Sequence, residues 1–193
     1  MISEKQSSAD DFSDFEQWLI TSYLRNWLLL VSLIINLTVF FVLFGFTKLF
    51  DPSESMLNAF VGTPSGLVMF IPSCILHELV HGLAYLSLKI RPRYGFKFVQ
   101  GMPALYTTAS GCWLSRNQYA TVALAPTAIV SLLGIALMVI LPAWRNSILM
   151  CLVFHSGGCV GDWAAYTKML QLPKSALFED TIDGFRYRVP VSK

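Results

Sequence analysis

Apolar residues in this 193-residue chain are gathered into long runs separated by short charged stretches. Residues 26–47, between Arg25 and Lys48, and 117–144, between Arg116 and Arg145, contain no charged side chain. Each is long enough as a helix to cross the roughly 30 Å of bilayer hydrocarbon. Runs 67–88 and 146–167 are of similar length but carry ionisable residues: His77, Glu78 and His81 in the first, His155 and Asp162 in the second. The pattern predicts an all-α membrane protein with four transmembrane helices. Pro72 and Pro126 fall inside two of them and should bend each, because proline removes a helix donor. Gly62-Thr63-Pro64-Ser65-Gly66 reads as a turn, with Thr63 or Ser65 able to cap the helix that follows.

The connecting segments carry their own patterns. Tyr94, Phe96 and Phe98 alternate with Gly95, Lys97 and Val99 ahead of a Gln100-Gly101-Met102-Pro103 break. This predicts a short β-hairpin in the 91–112 linker between the second and third spans. Ser115-Arg116-Asn117-Gln118 has the form of a capping box opening the third span. Before the first span, Phe12, Phe15, Trp18 and Leu19 share one helical stripe, suggesting an amphipathic helix in the headgroup layer. Gly184 to Val189 alternates as an edge strand would. Three regions result: an amphipathic N-terminal segment at 1–25, the four-span unit at 26–168, and a C-terminal tail at 169–193 too small for a core of its own.

Composition agrees with membrane insertion, since 54% of residues are hydrophobic and 13% charged, against about 25% charged in soluble domains. Acidic residues, Asp10, Asp11, Asp14 and Glu16, precede the first span, where a signal peptide would have a basic region. That span is therefore expected to be retained. Twelve Lys and Arg fall on one side of the four spans and only Lys48 and Arg145 on the other. The positive-inside bias places both termini and the 91–116 linker in the cytoplasm. The net charge of +2 carries no basic motif and points to no nucleic acid. Cys74, Cys112, Cys151 and Cys159 lack paired ligand spacing and read as small buried apolar residues; Cys74 and Cys159 each stand three residues before a candidate ligand and could pack near the site, with thiol ligation the lesser alternative.

The chemistry lies in His77-Glu78-Leu79-Val80-His81, an HExxH arrangement. Residues four apart share a helix face, so both imidazoles can reach one Zn2+ while Glu78 meets a water beside it. Catalytic zinc normally has three protein ligands, and two intramembrane residues could supply the third. Asp162 is favoured because a carboxylate in a span costs at least about 2.5–3.5 kcal/mol without a partner. His155 is the alternative and lies nearer the level of His77. Gly157, Gly158 and Gly161 would allow close helix approach or a local break beside both.

HELVHG within a span, the aromatic and proline-containing linker, Ser115 to Gln118 followed by Ala125-Pro126, and the late Gly161-Asp162 together resemble the bacterial membrane zincin peptidases. These are in turn distantly similar to site-2 proteases. The resemblance covers 67–193 and implies His77, His81 and Asp162 as zinc ligands and Glu78 as the catalytic acid/base. Trp163 stands where site-2 proteases carry glycine, and His155 stands where the family pattern has Asn.

The expected function is intramembrane hydrolysis of a peptide bond in or beside a membrane segment, with the lipid bilayer and a membrane protein or peptide as partners. The hairpin would hold the unwound substrate, and His155, if near the reacting carbonyl, would donate to the oxyanion. The rival is a metal-binding or polar-core scaffold that holds partner helices without cleaving them. Glu78 argues against it, because pure binding needs ligands but no general base.

Overall fold

The computed structural model describes residues 15–19, 22–99, 102–182 and 184–190. The chain is mostly helical, with α1 (Ser22–Phe50), α2 (Met56–Val61), α3 (Thr63–Ser87), α4 (Arg116–Ile140), α5 (Arg145–Gly158) and α6 (Val160–Leu170). Between and around them lie the strands β1 (Glu16–Leu19), β2 (Arg93–Val99), β3 (Met102–Thr108), β4 (Leu114–Ser115), β5 (Leu177–Thr181) and β6 (Gly184–Arg188). Three helices, α1 from Asn26 onward, α3 and α4, are long and apolar enough to cross a membrane. The stretch expected to form a fourth continuous span is instead α5 and α6, which meet at Cys159 with a bend of 40°. Counted as one broken span, they raise the number to four.

Local chemistry explains several boundaries. Ser115 and Gln118 form a reciprocal capping box at the start of α4, satisfying donors that an open helix end would leave bare. At the start of α3 neither Thr63 nor Ser65 caps. Gly62 occupies the cap position without a side-chain bond, and Ser65 Oγ instead meets Ser147 Oγ of α5 at 2.6 Å. The Gly-x-x-x-Gly spacing of Gly62 and Gly66 thus serves helix packing as well as a turn. A Cβ on Gly62 would lie 2.5 Å from the carbonyl carbon of Asn146, and one on Gly66 would lie 2.6 Å from Met150 Cβ. Small residues at this spacing let two helix backbones approach closely within a bilayer. Likewise a Cβ on Gly157 would lie 2.5 Å from Asn36 Oδ1, and Ser32 Oγ of α1 donates to Gly157 O at 3.1 Å.

Two clusters of buried residues divide the molecule lengthwise. One lies at the α1–α2–α5 end around Phe40, Leu43, Ala59, Met138 and Leu149. The other joins the ends of α3 and α4 to the strands through Tyr85, Leu114, Tyr119, Met169, Phe178 and Phe185. The residues of the C-terminal tail therefore share a core with the helices. Most of α1 presents Leu29, Leu33, Leu37 and Phe41 outward, as expected of a helix facing acyl chains.

Small sheets add to the all-α expectation. β2 and β3 form an antiparallel hairpin in register from Arg93↔Thr108 to Val99↔Met102. A second, four-stranded sheet has the order β1-β6-β5-β4. It corrects two expectations. Residues 16–19 form a strand rather than an amphipathic helix, because they pair with β6 and stack Trp18 on Phe185 with ring centroids 5.2 Å apart; Phe12 lies outside the described residues. β6 is an inner strand between β1 and β5, not an edge. The loop 109–113 is tied to this sheet where Gly111 N donates to Glu179 Oε1 at 2.6 Å.

The α3–α5 contact provides a direct check. Gly66→Ala places a methyl against Met150 and Ser147 O, and overpacking of this kind costs about 1–3 kcal/mol. Thermal unfolding in detergent should show a lowered midpoint, whereas an unchanged midpoint would mean that the two helices are not held at this distance.

Candidate metal centre

Three helices deliver the ionisable side chains to one place. His77 and His81, one turn apart on α3, turn their Nε2 atoms toward each other at 3.2 Å. Asp162 enters from α6 with Oδ2 3.1 Å from His77 Nε2 and 3.6 Å from His81 Nε2. Asp162 lies in the first turn of α6, where the exposed N–H groups of a helix N-terminus favour a negative charge. The break at Cys159 thus puts a helix start beside the two imidazoles, which an unbroken helix would not.

The second nitrogen of each ring is also engaged. His81 Nδ1 lies 2.9 Å from Val122 O. This carbonyl is available for a specific reason: Pro126, four residues on within α4, has no N–H to give it. Proline in a helix interior normally leaves a carbonyl short of its donor, and here His81 takes that place. The bond requires the proton on Nδ1 and leaves the Nε2 lone pair facing Asp162 and His77. His77 Nδ1 meets His155 Nε2 at 3.2 Å. His155 belongs to α5, is 2% exposed, and does not line the cavity described below.

Both helices therefore run through their prolines as single elements, and Pro126 acts on the site through the partner it leaves free. Cys159 was expected to be an apolar filler. Although it is fully buried, its Sγ lies 3.8 Å from His77 Nδ1 and 3.7 Å from His155 Nε2.

Glu78, His81 and Asp162 open onto a cavity of about 900 Å³ whose far walls come from β3, the β5–β6 turn and α4. Glu78 is fixed through its backbone, whose carbonyl accepts from Thr107 Oγ1 at 3.0 Å. Its carboxylate Oε2 is buried with no hydrogen-bond partner, and Asp162 Oδ2 is likewise without a conventional donor. Such groups are costly unless a cation or water completes them. Two imidazole nitrogens and one carboxylate oxygen, with ligand atoms within 4.8 Å of one another, could hold a metal ion; this is the kind of donor set that catalytic zinc takes, and the separations suit ligands at about 2.0–2.2 Å from one ion.

A residue that sequence reasoning did not single out also lines this cavity. Asp180 of β5 accepts from Tyr85 Oη at 2.7 Å, and burial pushes its carboxyl up to about 7, against the lowering effects of the Tyr85 bond and His81. Its signal was faint, because Asp180 stands among Glu179 and other tail residues with no motif around it. Lys97 of β2 reaches across to Ile182 O at 2.9 Å, joining hairpin and sheet over the cavity mouth.

Pro126→Ala returns an N–H to compete for Val122 O and loosens the orientation of His81. Loss of an outer-shell partner typically lowers metal affinity about 10- to 100-fold. Zinc competition against a chelator in detergent should show a loss of that order with the fold intact, and unchanged affinity would separate Pro126 from the site.

Compared with known proteins, residues 70–177 match the sequence model of the family described as "Putative zincin peptidase". The matched segment contains all of His77, Glu78, His81, Pro126, His155 and Asp162. No curated protein and no solved structure matches the chain significantly.

Proposed function

Because the chain belongs to the zincin peptidase family, we propose that it is a zinc metalloendopeptidase, site-2-protease-like, that hydrolyses a peptide bond in or beside a membrane segment. The observation that carries this reading is the convergence of His77, His81 and Asp162 at 3.1–3.6 Å with an unpartnered Glu78 carboxylate on the same cavity. A site built only to bind a metal needs the first three and gains nothing from a desolvated, unpaired acid.

Bound by these residues, zinc would supply the Lewis acidity that polarises a scissile carbonyl and makes a water acidic near neutral pH. His77 and His81 would hold it through Nε2, with His81 kept in the required tautomer by Val122 O. Asp162 would give the third donor and offset positive charge in a low-dielectric setting. Glu78 takes the proton of the attacking water on its free oxygen and returns it to the leaving amine. The Thr107 bond to Glu78 O ties the backbone of that acid to the hairpin wall. His155, behind His77 and off the cavity, is assigned no contact with the reacting carbonyl.

The substrate is a membrane protein or peptide that must unwind, since a helix uses its own carbonyls. β3 suits an extended partner, because among the described residues it pairs only with β2 while Leu105 to Thr108 line the cavity. Strand addition at such an edge supplies main-chain bonds to a peptide of varied sequence.

The protein is integral to a membrane in this reading, with α5 and α6 as a fourth, broken crossing. Both termini, the hairpin and the four-stranded sheet face the cytoplasm, supported by the twelve-to-two distribution of Lys and Arg; the inner membrane of a bacterium is the expected location. Reporter fusions after residues 100 and 190 should both be cytoplasmic, and an external signal at either point would invert the orientation.

Glu78→Gln separates an enzyme from a scaffold. Zinc content and folding should survive, while turnover of a membrane substrate should fall about 10²- to 10⁴-fold. His81→Ala and Asp162→Ala should instead lose the zinc held on the cavity side. Membrane proteomes of cells expressing wild type and the Gln variant should differ by truncated membrane proteins. If they match, and both versions rescue any deletion phenotype equally, the peptidase reading is wrong and the scaffold takes its place.

A further inference from the structure

Behind the HExxH site, on the side of His77 away from the cavity, lies a second set of donors. His77 Nδ1 and His155 Nε2 are 3.2 Å apart. Cys159 Sγ is 3.8 Å from the first and 3.7 Å from the second. His155 and Cys159 are spaced i, i+4 along α5 and its cap, the same one-turn spacing that brings His77 and His81 together. His155 is 2% exposed and Cys159 0%.

These separations are those of ligands around one ion. Zinc bonds of about 2.0–2.1 Å to nitrogen and 2.3 Å to sulfur in tetrahedral geometry leave nitrogen pairs about 3.3 Å apart and nitrogen–sulfur pairs about 3.6 Å apart. A hydrogen bond between the two rings accounts for the His77–His155 distance alone. The thiol sits beside both imidazoles, 3.8 Å from His155 Nδ1 as well, with Thr127 as a further partner; one cation would draw it off Thr127 toward the gap between His77 Nδ1 and His155 Nε2. We propose that His77 Nδ1, His155 Nε2 and Cys159 Sγ form a second metal site, selective for a thiophilic cation such as Zn2+ or Cd2+. Two imidazoles, one thiolate and no carboxylate suit such ions and disfavour Mg2+ and Ca2+.

The two sites compete, because they share His77. A neutral imidazole offers one lone pair, so a cation at Nδ1 moves the ring proton to Nε2, the atom facing His81 and Asp162. Filling the thiol site therefore withdraws one ligand from the HExxH site, and excess thiophilic metal inhibits rather than activates. This competition rests on the reading of His77 as a ligand of the catalytic ion; the thiol site itself does not.

Titration of the metal-free, detergent-solubilised chain with Cd2+ or Co2+ tests it through thiolate-to-metal charge-transfer absorption. Wild type should develop one such band, Cys159→Ser should lose it, and His155→Ala should shift its midpoint at least about tenfold. His81→Ala and Asp162→Ala should keep the band and reach it at equal or lower metal, since the competing site is gone. This result stands whether or not the chain proves to be a peptidase. X-ray absorption of wild-type protein loaded with zinc beyond one equivalent should detect a sulfur neighbour, which keeps the test open if Cys159→Ser folds poorly. The proposal is overturned if wild type shows no Cys159-dependent band and no sulfur neighbour, leaving His155 as an orienting partner of His77. It is overturned equally if the band depends on Cys74, Cys112 or Cys151 instead.

Discussion

Every polar atom placed among membrane-spanning helices needs a partner from the protein, because acyl chains offer none. This constraint organises the whole site. His81 finds its acceptor in a carbonyl that Pro126 cannot satisfy. Asp162 sits at a helix start made by the break at Cys159. His77 uses one nitrogen toward Asp162 and the other toward His155. In the first two cases an irregularity of the backbone, costly alone in hydrocarbon, is paired with a side chain that would also be costly alone. The helices hold the imidazoles and the acid within 3.6 Å by making these deficits complementary.

The strands answer a different need. A cavity of about 900 Å³ opening among helix ends requires walls that tolerate water and extended backbone, and the hairpin and four-stranded sheet provide them. Their core is continuous with that of α3 and α4 through Tyr85, Tyr119, Phe178 and Phe185, so the walls are anchored to the same helices that carry the donors. The Thr107–Glu78 and Lys97–Ile182 bonds then couple hairpin, sheet and site. Tyr85 extends this anchoring to the cavity itself by holding Asp180.

Signals that depend on near neighbours in the chain were legible. The i, i+4 spacing of His77 and His81, the Ser115–Gln118 box, the alternation in 93–99 and the demand of Asp162 for a partner all follow from local geometry or from the cost of burial. The amphipathic stripe at Phe15, Trp18 and Leu19 misled, because a four-residue strand stabilised by distant pairing leaves the same apolar residues as a helix face. Glu16 meets Tyr187 across a separation of 171 residues, and no local pattern encodes that pairing. The spacing of Cys159 to Asp162 hinted at a place near the site, but its approach to His77 was not legible for a related reason: the contact of α5 with α3 depends on where Gly62 and Gly66 allow backbones to touch. The three glycines around Asp162 permitted either a close approach or a break, and the folded chain uses both, with Gly157 against α1 and the bend at Cys159.

The order β1-β6-β5-β4 bears on how the molecule is made. Chains emerge from the ribosome N-terminal end first, so β1 is synthesised before α1 to α6 yet has no strand to join until β6 appears. The HExxH pair is likewise made before Asp162 and before β5 and β6, whose turn walls the cavity. A half-made chain therefore holds two imidazoles and an acid without their third donor or their enclosure. The cavity beside the two imidazoles is thus enclosed only after α6, β5 and β6 have been made.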